Sequence, residues 1–113
     1  MTWLWIAVLG CAPAPEYHYK EGIQAAEYVG CQEGHELGVE AADAAVEHGD
    51  DLGDPWSWVP PEDLQGVQAC IERSGAEAAN RDIADDCALN ARLGAIECYA
   101  PAYIGQFLAQ SCP

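Results

Sequence analysis

The sequence predicts an all-α protein, a small disulfide-stapled bundle of about four helices around a long first helix rich in glycine and alanine. Residues 16–49 contain no proline, and small residues recur there at every fourth position. Later segments place apolar residues at helical spacing, without strand-like alternation of any length. Six cysteines in 113 residues indicate an oxidising compartment and hence disulfides.

The first helix has a line of small residues suited to close packing. The line consists of Gly22, Ala26, Gly30, Gly34, Gly38 and Ala42. Each helical glycine costs about 1 kcal/mol relative to alanine, so we expect backbone contact with neighbouring helices to offset that cost. Residues four apart drift by about 40° around a helix, so the two ends of the line should meet different neighbours.

A membrane-embedded glycine zipper is the alternative interpretation of this small-residue line. Acidic side chains interrupt the segment too often for a span that faces lipid. These are Glu27, Glu33, Glu36, Glu40, Asp43 and Glu47. The composition therefore favours a helix that packs against other helices in water.

The remaining helices are predicted from apolar spacing and from proline. Residues 50–61 are rich in Gly, Asp and Pro and form a loop, after which Pro60 and Pro61 open a second helix. A third helix is expected over residues 77–98. Pro101 should break the chain and start a last helix over residues 101–111, because proline disfavours helix in the residue before it.

The charge balance excludes two classes of partner. Asp and Glu number 19 against four Lys and Arg, for a formal net charge of −15. Such a surface repels nucleic acid and is not drawn electrostatically to anionic lipid. We therefore expect no nucleic-acid partner.

The N-terminal segment consists of an uncharged apolar run followed by an Ala/Pro linker. The run Trp3–Leu9 ends in Val8-Leu9-Gly10-Cys11, and Ala12 to Pro15 follow. This segment resembles a bacterial lipoprotein signal peptide with its lipobox. The resemblance covers residues 1–15 only. It implies removal of residues 1–10, a linker over 11–15 and one helical domain over 16–113.

The same resemblance implies a lipid anchor. Cleavage would precede Cys11, and the thiol of Cys11 would receive a diacylglycerol that tethers the protein to a membrane. The protein would then be exported to the bacterial cell envelope, as a periplasm-facing or outer-membrane lipoprotein. Two alternatives remain open: a cleaved signal peptide without lipid, and an apolar segment that packs on the bundle.

Candidate disulfides are ranked by the heights of the cysteines along an antiparallel bundle. With a turn near Ala100, Cys87 and Cys112 lie at nearly the same height, which predicts a Cys87–Cys112 bridge. Cys31 and Cys70 lie on adjacent helices and are the second predicted pair. Cys98 is left unpaired.

His35 is the most suggestive candidate metal ligand. It lies one helical turn after Cys31, and a Cys/His pair at this spacing can share one metal ion. The spacing identifies no further ligands, so a buried histidine with a hydrogen-bonded partner is the alternative. No Glu-x-x-His or His-Glu-x-x-His motif occurs, and we expect no cofactor.

The loop over residues 50–61 combines acids with aromatic rings. Its candidate ligand-binding residues are Asp50, Asp51, Asp54, Trp56 and Trp58. Carboxylates beside exposed rings would suit a sugar or a weak calcium site. The alternative is that the tryptophans pack against the end of the bundle as an apolar cap.

These observations favour a protein that is not an enzyme. The sequence has no G-x-S-x-G motif, no glycine-rich phosphate loop after a strand and no Cys-x-x-Cys motif. We expect a non-catalytic envelope lipoprotein that acts as a structural or protein-binding helical module. The alternative is an envelope protein that binds a small ligand, such as a sugar, or a metal, through the Trp/Asp loop or the Cys31–His35 face.

Overall fold

A computed structural model describes residues 15–74 and 81–111, and this part of the chain is helical with connecting loops. The helices are α1 (Pro15–Glu47), α2 (Gln65–Ser74) and α3 (Arg81–Ser111), with a short 3₁₀ helix over Pro55–Ser57. The all-α class is confirmed. The described residues hold three α-helices instead of the predicted four.

The number of helices differs because Pro101 does not end a helix. The predicted third and fourth helices, residues 77–98 and 101–111, are joined in α3, which runs through Pro101 without a break. Proline lacks an N–H, so the carbonyl of Glu97 loses its usual helical donor. The proline ring is exposed, while Ala100 and Ala102 on either side are buried. Burial of these neighbours holds the segment in helix despite the lost hydrogen bond.

The two long helices lie side by side and run in the same direction. Three links along the pair join residues with the same sequence separation of 67: the Tyr19–Asp86 hydrogen bond, the Cys31–Cys98 disulfide and the Asp43–Gln110 hydrogen bond. A constant separation requires parallel helices in a fixed register. The antiparallel turn predicted near Ala100 is absent, because the predicted last two helices form the single helix α3.

Glycines bring the backbones of α1 and α3 into contact. A Cβ on Gly34 would lie 2.7 Å from Cα of Ala95 and would also overlap the Ala95 carbonyl oxygen. Gly30 faces Ala91 in the same way, and Gly38 faces Tyr99. The sequence prediction of close packing along this line is confirmed.

Helix α2 packs against the N-terminal half of α1. A Cβ on Gly22 would meet Cys70 and Ser74 of α2, whereas Gly30 and Gly34 meet α3. The two ends of the small-residue line thus have different neighbours, as predicted. At the other end of α2, the N–H of Gly66 donates to Oε1 of Glu33, 2.9 Å away. This carboxylate satisfies an N–H at the helix N-terminus and interacts favourably with the helix dipole.

The core is thin and made mostly of small side chains. Ala26, Ala42, Ala91 and Ala95 have no exposed surface, and the largest fully buried side chains are Cys70, Cys87 and Ser74. The Cα atoms extend over 67 × 32 × 15 Å, so the molecule is an elongated slab. Backbone proximity thus takes the place of a deep apolar core.

Two disulfides staple this slab, and their connectivity corrects the predicted pairs. Cys31 is bonded to Cys98, with Cα atoms 5.1 Å apart, and Cys70 to Cys87, with Cα atoms 5.6 Å apart. The predicted Cys87–Cys112 and Cys31–Cys70 bridges are therefore wrong, and Cys98 is paired. Because α3 does not turn near Ala100, Cys98 lies in mid-helix beside Cys31.

Candidate functional site

A groove between α1 and α3, on the side of the Cys31–Cys98 bridge, has a volume of about 600 Å³. We call it the disulfide groove. Helix α1 supplies Cys31, Gln32, His35 and Glu36, and α3 supplies Glu97, Cys98, Pro101 and Ala102. Helical spacing explains this composition, since residues three and four apart share a helix face.

The two disulfides differ in their access to solvent. Cys31 and Cys98 are half-buried and both line the disulfide groove. Cys70 and Cys87 have no exposed surface and lie in the core with Ala26 and Ala91. A molecule in solution can therefore reach one bridge and not the other while the fold is intact.

The predicted Cys31–His35 pair lies in this groove, in a different chemical state from the one expected. The sulfur of Cys31 is bonded to Cys98, so it is not a thiolate that could bind a metal. The side chain of His35 is exposed, on what had been expected to be an apolar helix face. Within residues 15–74 and 81–111, no three or more His, Cys, Asp or Glu side chains are grouped to hold a metal ion.

A second concavity, of about 280 Å³, lies between the loop after α1 and one face of α3. We call it the loop pocket. Its lining includes Asp50, Asp51, Asp54, Trp58, Tyr99 and Tyr103. The predicted acids and one predicted tryptophan thus come together. Trp56 is not part of the lining, and 56% of its surface is exposed.

Stacked aromatic rings form one wall of the loop pocket. Trp58 stacks on Tyr99 with ring centroids 3.9 Å apart and an interplanar angle of 2°. The stack continues along α3 to Tyr103 and Phe107, at centroid distances of 5.9 and 6.0 Å. Trp58 therefore packs on the side of the bundle, as the capping alternative predicted in part.

Some polar groups of the loop pocket have a hydrogen-bond partner in the described part of the chain, and others have none. Oδ1 of Asp54 accepts a hydrogen bond from the N–H of Trp56, 3.2 Å away, and caps the 3₁₀ helix. Burial raises the pKa of the Tyr99 phenol above 10.0, and the nearby Tyr103 phenol adds to the effect. Neither tyrosine hydroxyl has a hydrogen bond to another residue of the described part.

Sequence reasoning missed several residues of both sites. Glu97, Cys98 and Pro101 of the disulfide groove were hidden by the expected helix break at Pro101. Tyr99 had been placed between the predicted third and fourth helices, and Tyr103 in the fourth. A signal existed for the buried bridge, because Cys70 and Cys87 are nearly equidistant from the connection at residues 75–80. Cys11, Cys112 and the predicted lipobox lie outside the described residues.

Comparisons with known proteins add no relative to this picture. A scan against protein-family models, a search of curated proteins and a search of solved structures each found no match to the chain. In the described part of the chain, no helix has both the length and the apolar character needed to cross a bilayer.

Proposed function

We propose that this protein is a non-catalytic lipoprotein of the bacterial cell envelope that serves as a rigid helical module for binding another protein. The observation that carries the proposal is the rigid pairing of the two long helices. Two parallel helices of 33 and 31 residues are held at backbone contact and cross-linked. A helix of this length spans about 50 Å, so the fold presents a long fixed surface on a small chain.

Exposed apolar side chains support the protein-binding part of the proposal. Leu89 and Leu93 lie one turn apart on α3 and are 55% and 46% exposed. Val59, in the loop before α2, is 72% exposed. Exposed apolar side chains that lie together on one face of a helix, instead of being scattered singly, can mark a contact surface between proteins.

The anchor is tested with a single substitution and an intact mass. In a bacterial host, the wild-type protein should incorporate labelled fatty acid, and its mature mass should correspond to a lipidated chain that begins at Cys11. Cys11→Ser should abolish the label and release the protein from the membrane fraction. A mature protein that still begins at Met1 and stays membrane-bound after Cys11→Ser would show that the lipoprotein assignment is wrong.

The binding surface is tested by site-specific photo-cross-linking in the same cells. A photoreactive residue at Leu93 should yield a discrete adduct, whereas one at Gln68, an exposed polar position on α2, should not. Leu89→Glu should reduce the Leu93 adduct because a carboxylate would be placed in the apolar contact. Equal adduct yields from both positions would contradict a defined partner surface on α3.

The loop pocket favours a second candidate function, the binding of a small polar ligand such as a sugar. Aromatic rings, three carboxylates and two phenols without hydrogen-bond partners in the described part converge there. Pockets for small molecules combine apolar walls with a few polar groups in this manner. Saturable quenching of tryptophan fluorescence by a sugar, weakened by Asp51→Asn and unchanged by Trp56→Leu, would support this candidate. Absence of saturable quenching across a panel of sugars would exclude it.

A further inference from the structure

Accessibility divides the two disulfides into one that solutes can reach and one that they cannot. In thiol–disulfide exchange, a thiolate attacks one sulfur of the bridge, so the rate depends on access to that sulfur. The bridge in the disulfide groove meets this requirement, with both of its cysteines half-buried in the groove lining. The Cys70–Cys87 bridge is fully buried and serves as an internal control.

We propose that Cys31–Cys98 is an exchangeable disulfide that reacts with uncharged or positively charged thiols. It would do so while the helices stay folded. This inference does not depend on the proposed function, because it concerns only the chemistry of the groove.

The reaction balances with two equivalents of thiol. The first thiolate attacks one sulfur of the bridge, the Cys31–Cys98 bond breaks, and its electron pair leaves on the other cysteine as a thiolate. A second equivalent attacks the mixed disulfide and releases the external compound as its own disulfide. The protein ends with two thiols, and two external thiols have been oxidised.

His35 supplies a proton acceptor beside the bridge. It lies one turn after Cys31 on α1, is exposed and lines the same groove. An imidazole can take the proton of an incoming thiol and return it to the leaving cysteine sulfur, and a cationic imidazole favours a nearby thiolate. These roles account for a histidine at this position without a metal.

The carboxylates of the groove determine which thiols react well. Glu36 and Glu97 line it from opposite helices, on a chain whose net charge is −15. Their field repels an anionic thiol and attracts a cationic one, and added salt screens both effects. Charge selectivity that salt reduces is therefore expected for reaction within this groove.

The fold can tolerate opening of this bridge. The contacts of Gly30 and Gly34 with the α3 backbone do not involve the bridge sulfurs. The Tyr19–Asp86 and Asp43–Gln106 hydrogen bonds join the same two helices at 3.0 and 2.8 Å. The Cys70–Cys87 bridge continues to tie α2 to α3.

The test measures the opening of each bridge in the folded, oxidised protein. Cysteamine, 2-mercaptoethanol and 2-mercaptoethanesulfonate are compared at equal thiolate concentration and low ionic strength. Samples are alkylated at intervals and mapped by peptide mass, while circular dichroism follows helicity. We expect Cys31 and Cys98 to be alkylated at least about tenfold faster than Cys70 and Cys87, with helicity retained. Cysteamine should react fastest and the sulfonate slowest, and about 1 M salt should narrow the difference.

Substitution of the histidine tests its role separately. His35→Gln should slow the opening of Cys31–Cys98, because the proton acceptor on the groove wall is removed. His48→Gln, just beyond the C-terminal end of α1, should leave the rate unchanged. Opening of both bridges at one rate, together with loss of helicity, would overturn the proposal because global unfolding would then control access. An unchanged opening rate in His35→Gln would remove His35 from the mechanism.

Discussion

At the residue scale, the positions that matter most are those where a side chain would collide with a neighbouring backbone. Gly34 is the clearest, since its Cβ position falls 2.7 Å from both the Cα and the carbonyl carbon of Ala95. A side chain tip can rotate away from such a clash, but helix backbone cannot. The spacing of the glycines predicted this contact without identifying Ala95 as the partner.

Gly34→Ala should destabilise the protein although it improves helix propensity. In an isolated helix, alanine is more favourable than glycine by up to about 1 kcal/mol. Here the added methyl group must separate α1 from α3, and such overpacking costs about 1–3 kcal/mol. Gly34→Leu and Gly30→Leu should be destabilised at least as strongly. Urea melts of the oxidised protein measure the difference.

Gly105 provides the matched control for this prediction. It also lies within a helix, and a Cβ there would meet nothing within 4 Å. Gly105→Ala should therefore be neutral or stabilising by up to about 1 kcal/mol. If Gly34→Ala melts at or above the parent, as Gly105→Ala is expected to, the contact between α1 and α3 is not as described.

Two tyrosines of the folded protein should ionise at a higher pH than an ordinary tyrosine. A hydrogen bond to Asp86 raises the pKa of the Tyr19 phenol, with desolvation and the Asp86 charge adding to it, and burial raises the pKa of Tyr99. Because the pKa of these phenols is higher in the folded state, their protonated forms stabilise the fold fully below the unfolded-state pKa near 10. This contribution is lost as the pH rises through the folded-state pKa. Stability should therefore fall above pH 10.

Absorbance at 295 nm measures these ionisations. The native protein should show a component that titrates above the ordinary tyrosine range, and Tyr19→Phe and Tyr99→Phe should each reduce it. In guanidinium chloride the late component should disappear, because the burial and the Asp86 hydrogen bond are lost. A single transition in the ordinary range for the native protein would contradict both contacts.

At the scale of the helices, start and stop signals predicted some boundaries correctly and missed others. Helix α1 ends as its sequence indicates. Gly49 has φ 74°, its N–H donates to the Val46 carbonyl oxygen at 3.1 Å, and that of Asp50 donates to the Ala45 carbonyl oxygen at 2.8 Å. This is a Schellman motif, which places a left-handed residue, usually glycine, just after a helix. Local chemistry determines this end, so the sequence alone was sufficient.

Pro101 is the opposite case, in which tertiary packing overrides a local signal. The proline predicts a break, yet burial of Ala100 and Ala102 and the register with α1 keep α3 continuous. A single sequence does not reveal which neighbour covers a helix, so this outcome was not predictable. The error also misplaced Cys98, and with it the groove disulfide.

Pro101→Ala should stabilise the protein if the helix is continuous there. Alanine restores the N–H that the Glu97 carbonyl lacks and removes a residue that costs about 3 kcal/mol in a helix interior. Because the native helix already accommodates the proline, we expect a gain of about 1 kcal/mol or more in denaturant melts. Destabilisation would instead indicate that a bend at Pro101 is required for α3 to follow α1.

At the scale of the whole molecule, topology was the least predictable feature. Composition and periodicity were sufficient for the all-α class, the thin alanine core and the need for disulfides. They carried no information on whether the long helices run parallel or antiparallel. The aromatic wall of the loop pocket also depends on topology and was not predicted for that reason. Trp58 reaches Tyr99 only because the loop folds back along α3.

A slab with so little buried apolar volume should depend heavily on its two bridges. In the chain-entropy treatment, a disulfide that closes a loop of 17 residues adds about 3 kcal/mol to the free energy of unfolding. One that closes a loop of 67 residues adds about 4 kcal/mol. Their sum of about 7 kcal/mol is comparable with the whole stability of a typical domain, about 5–15 kcal/mol. Opening both bridges should therefore bring the chain close to or below the folding threshold.

This dependence can be measured with paired substitutions. Cys31→Ala with Cys98→Ala should lower the melting temperature but leave a cooperative helical transition, because the glycine contacts and the buried bridge remain. Removal of all four described cysteines should abolish most of the helicity at 25 °C, as followed by circular dichroism. If the four-cysteine variant retains full helicity and melts cooperatively, the contacts between α1 and α3 alone are sufficient for the fold. The disulfides would then limit the motion of a stable bundle without being required for it.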